Sequence, residues 1–484
     1  MDEPLPPVGE FAATFVEFMR AMTEAVERPE NPLLTRLREH LGVEPAELPV
    51  TAAGFAVADR PNLQLALDAV LPESERDAIG LANPHMHRMG TGFGELFGHI
   101  RPGALGQGPV EYVDVEVGDG RVARCIASAL LLASFEGVPV ALIVTSGQRP
   151  PMGQIEVRLE GIAPDEQAIP RLFAAIRTAM REHNIFRGKI ISLSPTGAVT
   201  FPVIPQVGRD AVVLPSGTLE RLEQHAIAVA EHADELRAAG RHLKRGVLMH
   251  GPPGTGKTLT VNYVLRATRG RTSVILTGQA LGMISQAFAI ARELAPATIV
   301  LEDVDLVAQE RTMPGGHGVL FELLNQLEGL EEDADLLVVL TTNRPDLIEP
   351  ALAARPGRVD PALELPLPDA EGRRRLLRLY AREIELDPDT ERDLVERTDG
   401  VTGALIKELM RQATLRATIN GTRSSASDVL AILDDLLEER GALTRRLLGP
   451  PRNGDGPPAP PSPAMVRAIG ASGIPMPPGI HLGP

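Results

Sequence analysis

Eight consecutive residues constrain this chain more than any others: Gly251-Pro252-Pro253-Gly254-Thr255-Gly256-Lys257-Thr258. An apolar run, Gly246 to His250, precedes them, and a helical pattern from Leu259 to Ala267 follows. Strand, glycine-rich loop and helix in that order form the setting in which backbone N–H groups can curl around an anion. The helix adds its own N-terminal N–H groups and the positive end of its dipole. Lys257 can meet terminal phosphates as a point charge, and the Thr258 hydroxyl is a hard oxygen donor suited to Mg²⁺. Every fixed position of a phosphate loop is filled, so the expected ligand is ATP or GTP.

A metal-organising carboxylate should then stand at the end of a neighbouring strand. Thr298-Ile299-Val300-Leu301-Glu302-Asp303 is an apolar strand ending in two acids, with Asp305 just beyond. A further strand, Leu336–Leu340, leads into Thr341-Thr342-Asn343. In an open α/β sheet, ligands sit at the carboxyl edge of the strands, which places Asn343 beside the terminal phosphate. Arg355 and Arg358 follow in a turn. On their own, two such arginines are more often surface charges.

Taken together these segments resemble the AAA family of ATPases over residues 210–435. Gly251–Thr258 matches the family's Walker A loop, Thr298–Asp303 its Walker B strand and Asn343 its sensor 1. Arg355 and Arg358 match the two arginines that reach a neighbouring subunit's ATP. Leu365-Pro366-Leu367-Pro368-Asp369 matches the approach to a helical lid, and Thr402-Gly403-Ala404 resembles the lid segment lying against the nucleotide. The resemblance implies a P-loop α/β fold with a doubly wound parallel sheet and a helical lid domain. It also implies a homo-oligomer, usually a hexameric ring. Gly251, Pro252, Pro253, Gly254, Thr255, Gly256, Lys257, Thr258, Leu259, Gly403 and Ala404 would bind ATP, with Thr258 and Glu302 on Mg²⁺. Asp303, Glu302, Asn343, Arg355 and Arg358 would carry hydrolysis.

Three departures accompany the match. The acids read Glu302 then Asp303 where the family usually has Asp then Glu, an order similar to that of the branch that assembles mitochondrial respiratory complexes. Tyr380 stands where many members have a histidine, and Val212-Val213-Leu214 replaces a glycine-rich adenine segment. The loop Thr277–Ile284 has no aromatic residue and is shorter than the polypeptide-gripping loop of translocating members. Leu281 and Met283 are its candidates for a weak grip; otherwise the ring threads nothing.

The remaining chain is organised around this centre. Its 484 residues allow two or three domains. The expected division is an α+β partner-recognition region at 1–205, as one unit or as two subdomains at 1–105 and 106–205, the large ATPase subdomain at 206–368, a helical lid at 369–447 and a disordered Pro/Gly-rich tail at 448–484. Residues 10–27, 31–41 and 62–70 have helical spacing, for plain packing or for docking a partner. Val110–Val117, Arg121–Phe135, Val138–Thr145 and Gln154–Leu159 are β-rich, broken at Asp119-Gly120, Glu136-Gly137 and Gly147-Gln148. Pro164–Glu182 reads as a helix, and two strands follow near 189–193 and 198–204.

A formal charge of −16 argues against general affinity for nucleic acid or anionic membrane. The single cysteine, Cys125, excludes an intrachain disulfide and fits a cytoplasmic setting. The longest apolar run, Cys125–Phe135, is about half a membrane span. His85 and His87 lack the third and fourth ligands of a zinc site and read as surface histidines. Two functions are carried forward: an ATP-driven remodeller of proteins or protein complexes with an unidentified protein substrate or adaptor, and a slow or inactive nucleotide-gated assembly module. A DNA-acting motor is disfavoured by the charge.

Overall fold

The computed structural model describes residues 12, 14–18, 31–82, 92–97, 105–148, 155–308, 318–329, 334–348, 361–382 and 384–448. Arg355, Arg358, His85, His87 and the tail from 449 onward lie outside them. The chain groups into two units, one within Met1–Tyr380 and Glu391–Lys407, the other within Ala381–Thr390 and Glu408–Pro484.

The first unit holds two sheets. The first contains β1 (Thr51–Ala56), β2 (Asp77–Ala82), β3 (Gly106–Gly108), β4 (Glu111–Gly118), β5 (Arg121–Phe135), β6 (Val138–Gln148) and β7 (Ile155–Ile162). They pair antiparallel in the order β1-β7-β6-β5-β2-β3, with β4 alongside the first half of β5. Asp119-Gly120 and Glu136-Gly137 all have positive φ, as two-residue hairpin turns require. The break expected at Gly147-Gln148 is absent, since β6 runs through both residues.

The long apolar run in β5 follows from burial on both faces. Ala129, Leu131 and Ala133 pack under helices α2 (Arg60–Val70) and α3 (Ala168–Glu182). Leu130 and Leu132 pack under α1 (Pro32–Leu41). A period of two with both parities buried reads as an unbroken apolar string. Cys125 is buried at its start, and burial pushes its thiol up to about 11. In the N-terminal stretch expected to be helical, the described residues 12 and 14–18 are helical, with Phe15, Val16 and Phe18 on the surface.

The second sheet adds β8 (Ile190–Leu193), β9 (Val199–Thr200), β10 (Arg245–His250), β11 (Thr272–Thr277), β12 (Ala297–Glu302), β13 (Leu336–Thr342) and β14 (Ala362–Glu364), in the order β14-β10-β13-β12-β11-β8-β9. Only β9 is antiparallel to its neighbour. Helix α4 (Lys257–Ala267) and residues 218–228 cover one face. Helices α5 (Ile284–Glu293) and α6 (Gly318–Glu328) cover the other. This is a doubly wound parallel sheet.

β8 and β9 were expected in the region before 205. They belong to the second sheet instead, because Ile190–Ser192 pairs parallel with Ser273–Ile275. The first sheet is fastened to the second by Lys189, whose Nζ donates to Val117 O at 2.8 Å, and by Asn62, whose Oδ1 accepts from Ile185 N at 2.9 Å.

Helices α7 (Ala370–Ala381), α8 (Pro388–Arg397), α9 (Gly403–Ile419) and α10 (Ala426–Leu448) complete the described chain. Within the second unit, Leu409, Met410 and Ala413 of α9 are buried, as are Val429 and Leu433 of α10. Ser425 and Asp428 cap α10 reciprocally: Ser425 N donates to Asp428 Oδ2 at 3.0 Å and Asp428 N to Ser425 Oγ at 3.3 Å. Among the described residues no helix is long and apolar enough to cross a membrane.

Candidate nucleotide site

The parallel topology gathers chemistry at one edge. β10, β12 and β13 end side by side, and the connection after β10 runs across the sheet to β11 while the one after β13 runs the opposite way to β14, which opens a crevice at their carboxyl ends. Gly251–Thr258 follows β10, Glu302 closes β12 and Asn343 follows β13. Gly251 has φ 149°, and a Cβ there would sit 2.1 Å from Leu365 O, so the loop can turn only with glycine. The crevice forms a cleft of about 390 Å³. It is lined by Pro253–Thr260, Asp303, Asn343, Ala211–Pro215, Pro366, Pro368, Asp369, Gly372, Leu376, Tyr380, Gly403, Ala404 and Lys407. Ala404 N donates to Gly254 O at 3.1 Å and ties the segment at 402–404 to the loop.

Lys257 is 7% exposed, and its Nζ donates to Gly251 O at 2.8 Å and Pro252 O at 2.9 Å. Burial pulls the ammonium below its ordinary range, while Asp303 and Asp305 oppose the shift. Burial and the charge of Asp303 raise the Glu302 carboxyl, and the neighbouring Thr258 hydroxyl opposes the rise. A hydroxyl and a carboxylate oxygen held together are the donor set Mg²⁺ takes alongside substrate phosphates, so these two residues fit the ion.

Asp303 has φ 52°, a left-handed conformation unusual for a side chain other than glycine. Its N–H donates to Thr341 Oγ1 at 3.0 Å, and Asn343 Nδ2 donates to its Oδ1 at 3.2 Å. Two of the residues expected to carry hydrolysis are thus joined directly. Behind them lies Asp305, 4% exposed. Its Oδ1 accepts from Thr342 Oγ1 at 2.8 Å and from Asn343 N at 3.0 Å. Asp305 fixes the turn carrying Asn343. The sequence shows Asp305 just beyond the strand end but does not by itself give it a role in the site; a third acid so close to that end was the available signal. Lys407, on the cleft wall, was also missed.

Other expectations fare differently. Val212–Leu214 and Tyr380 do line the cleft, and burial raises the Tyr380 phenol. Leu281 and Met283 do not offer a grip: they are 1% and 6% exposed and belong to the core against α5. A Cβ on Gly197, in the β8–β9 turn, would lie 3.4 Å from Met283 Cε, so that turn covers the loop. The exposed residues there are Thr277, Gln279 and Gly282.

Residues 247–367 match the family model for the ATPase family associated with various cellular activities (AAA). The chain is 29% identical over 275 residues to a 26S proteasome regulatory subunit 8 homolog of Schizosaccharomyces pombe, covering 53% of this chain and 68% of that protein. It is 31% identical over 220 residues to a proteasome-activating nucleotidase of Methanocaldococcus jannaschii, covering 42% and 51%. It is also 31% identical over 286 residues to an ATP-dependent zinc metalloprotease FtsH 2 of Symbiobacterium thermophilum, covering 54% and 46%. The chain therefore spans about half the length of the latter two.

Proposed function

We propose, on the premise that this chain carries an ATPase domain of the AAA family at residues 247–367, that it hydrolyses ATP as a ring of identical subunits and remodels proteins or protein complexes in a cytoplasmic setting. The observation that carries the reading is the convergence of Lys257, the Thr258–Glu302 pair and the Asp303–Asn343 pair on one cleft. The loop N–H groups and Lys257 bind the phosphate chain. Thr258 and Glu302 would hold Mg²⁺, which when bound would supply charge neutralisation for the transferring phosphoryl group. Asp303 accepts the proton of the attacking water, which Asn343 helps orient, and ADP and phosphate leave. The Glu-then-Asp order, like that of the respiratory-complex-assembly branch, is compatible with turnover by this pair.

Protein as the substrate class is supported by the relatives, which are a proteasome regulatory subunit, a proteasome-activating nucleotidase and an ATP-dependent protease. The region of the first sheet would recognise the partner or adaptor. Burial of Leu281 and Met283 supports delivery of movement through that region rather than through an aliphatic grip. A nucleotide-gated module without turnover has less support, because the catalytic pair is already hydrogen-bonded in place.

The test is ATP turnover by the purified chain together with its oligomeric state. Arg355 and Arg358 are proposed to act on the neighbouring subunit's ATP. Arg358→Ala and Lys257→Ala subunits, each inactive alone, should regain part of the activity when mixed, because an intact loop then faces an intact arginine. Failure of every mixing ratio to restore activity would reject action across subunits.

A further inference from the structure

One wall of the cleft is the segment Val212–Leu214, of which Val212 is buried in the core shared with Val261 and Val264 of α4. It is anchored from behind. Just before it, the Arg209 side chain is gripped by Glu223, with Nε to Oε1 at 2.8 Å and a terminal nitrogen to Oε2 at 3.1 Å, and by Glu220 Oε1 at 2.9 Å. Such a two-point guanidinium–carboxylate pairing fixes direction as well as distance. Glu223 Oε1 also accepts the Tyr263 hydroxyl at 2.6 Å. Tyr263 lies on α4, the helix that begins at Lys257. One turn on, Arg266 donates to Ile204 O at 3.0 Å. Glu223 itself opens a π-helical turn, Glu223–Ala228, in the helix beginning at Thr218. Wide turns of this kind cluster at functional sites. The charges agree with the geometry: Arg209 and then burial and Tyr263 act on the Glu223 carboxyl, with a net downward shift, while burial and Glu223 push the Tyr263 phenol up to about 12.

We infer that Arg209, Glu223 and Tyr263 are positioning residues that hold the Val212–Leu214 wall against the nucleobase, setting affinity for the base half of the nucleotide separately from its phosphates. The inference rests on the reading of the cleft as an ATP site. The phosphate helix is fixed by its own loop, so a strut from Tyr263 through Glu223 to Arg209 keeps a constant distance between the phosphate end and the base end.

The test uses the full chain and compares ATP with inorganic tripolyphosphate, which has phosphates and no base. Binding of ATP and its turnover by the unsubstituted chain check the underlying reading first. For Arg209→Ala and Tyr263→Phe, the dissociation constant and KM for ATP should rise about three- to tenfold, with kcat within twofold of the original. The inhibition constant of tripolyphosphate should stay unchanged. Arg209→Lys, which keeps the charge and loses the two-point grip, should fall between. Equal weakening of ATP and tripolyphosphate, a fall in kcat at constant KM, or no change in ATP affinity would each overturn the inference. Thermal unfolding of each variant checks the fold, and Tyr263→Phe, which removes a single hydroxyl, keeps the test open if the arginine variants are unstable.

Discussion

The two sheets of the first unit are alike in burial and unlike in chemistry. Apart from the exposed β4 and the part of β5 beside it, each is covered on both faces, and each alternates its core side chains between them. The first is antiparallel and closes β4–β5 and β5–β6 with two-residue turns, so its strand ends point in both directions. The second is parallel save for β9, so every strand from β10 to β13 delivers its carboxyl end to the same edge. Lys257, Glu302, Asp303 and Asn343, scattered over nearly ninety positions of sequence, become neighbours for that reason alone. Packing makes a sheet stable; direction makes it a site.

Lys257→Ala should separate the two sheets most clearly. It should abolish measurable ATP turnover while leaving the circular dichroism of both sheets intact. Asp303→Asn should come next, lowering kcat by about 10²–10⁴-fold, the usual contribution of a general base, with ATP binding retained by equilibrium titration. Asp305→Ala should cost kcat through misplacement of Asn343. It should also lower stability by about 1–3 kcal/mol, because Thr342 and the Asn343 N–H lose a buried acceptor. Leu142→Ala in the first sheet is the opposite case. Chemical denaturation should show a loss of about 2–5 kcal/mol, with KM for ATP unmoved at temperatures where the chain stays folded.

The smallest effect concerns the join between the sheets. Asp59, at the start of α2, has its carboxyl raised from 3.8 to about 6 by burial, with Glu293 adding to the rise and Asn62 opposing it. The folded chain therefore holds this proton more tightly than the unfolded chain, so the group's contribution is greatest at low pH and is lost as pH climbs through that window. Asp59→Asn should flatten that part of the stability profile, as followed by denaturant midpoints across the range.

Much of the site was legible because its signals are local. Glycines, Lys257 and Thr258 stand together, and Glu302-Asp303 and Asn343 each terminate an apolar run. The hairpin turns at Asp119-Gly120 and Glu136-Gly137 were legible for the same reason. What escaped depends on distance along the chain. Thr51–Ala56 has little β-branched character and becomes a strand only by pairing with Gly161–Glu156. Ile190–Leu193 reads as a strand but not as a partner of β11. Asp305 looks like one more surface acid until Thr342 and Asn343 close over it, and Arg209 means nothing until Glu223 and Tyr263 face it.

The two-residue β9 has one more consequence. Without β8 and β9, β11 would be the outermost strand of a parallel sheet, presenting six residues of unpaired backbone to any extended chain it met. With them, the outermost strand is too short to template growth, one of the recognised defences against strand-to-strand aggregation. A fragment begun at residue 206 would keep the whole phosphate loop and lose that guard. It should precipitate by edge pairing even though every residue around its nucleotide cleft is present.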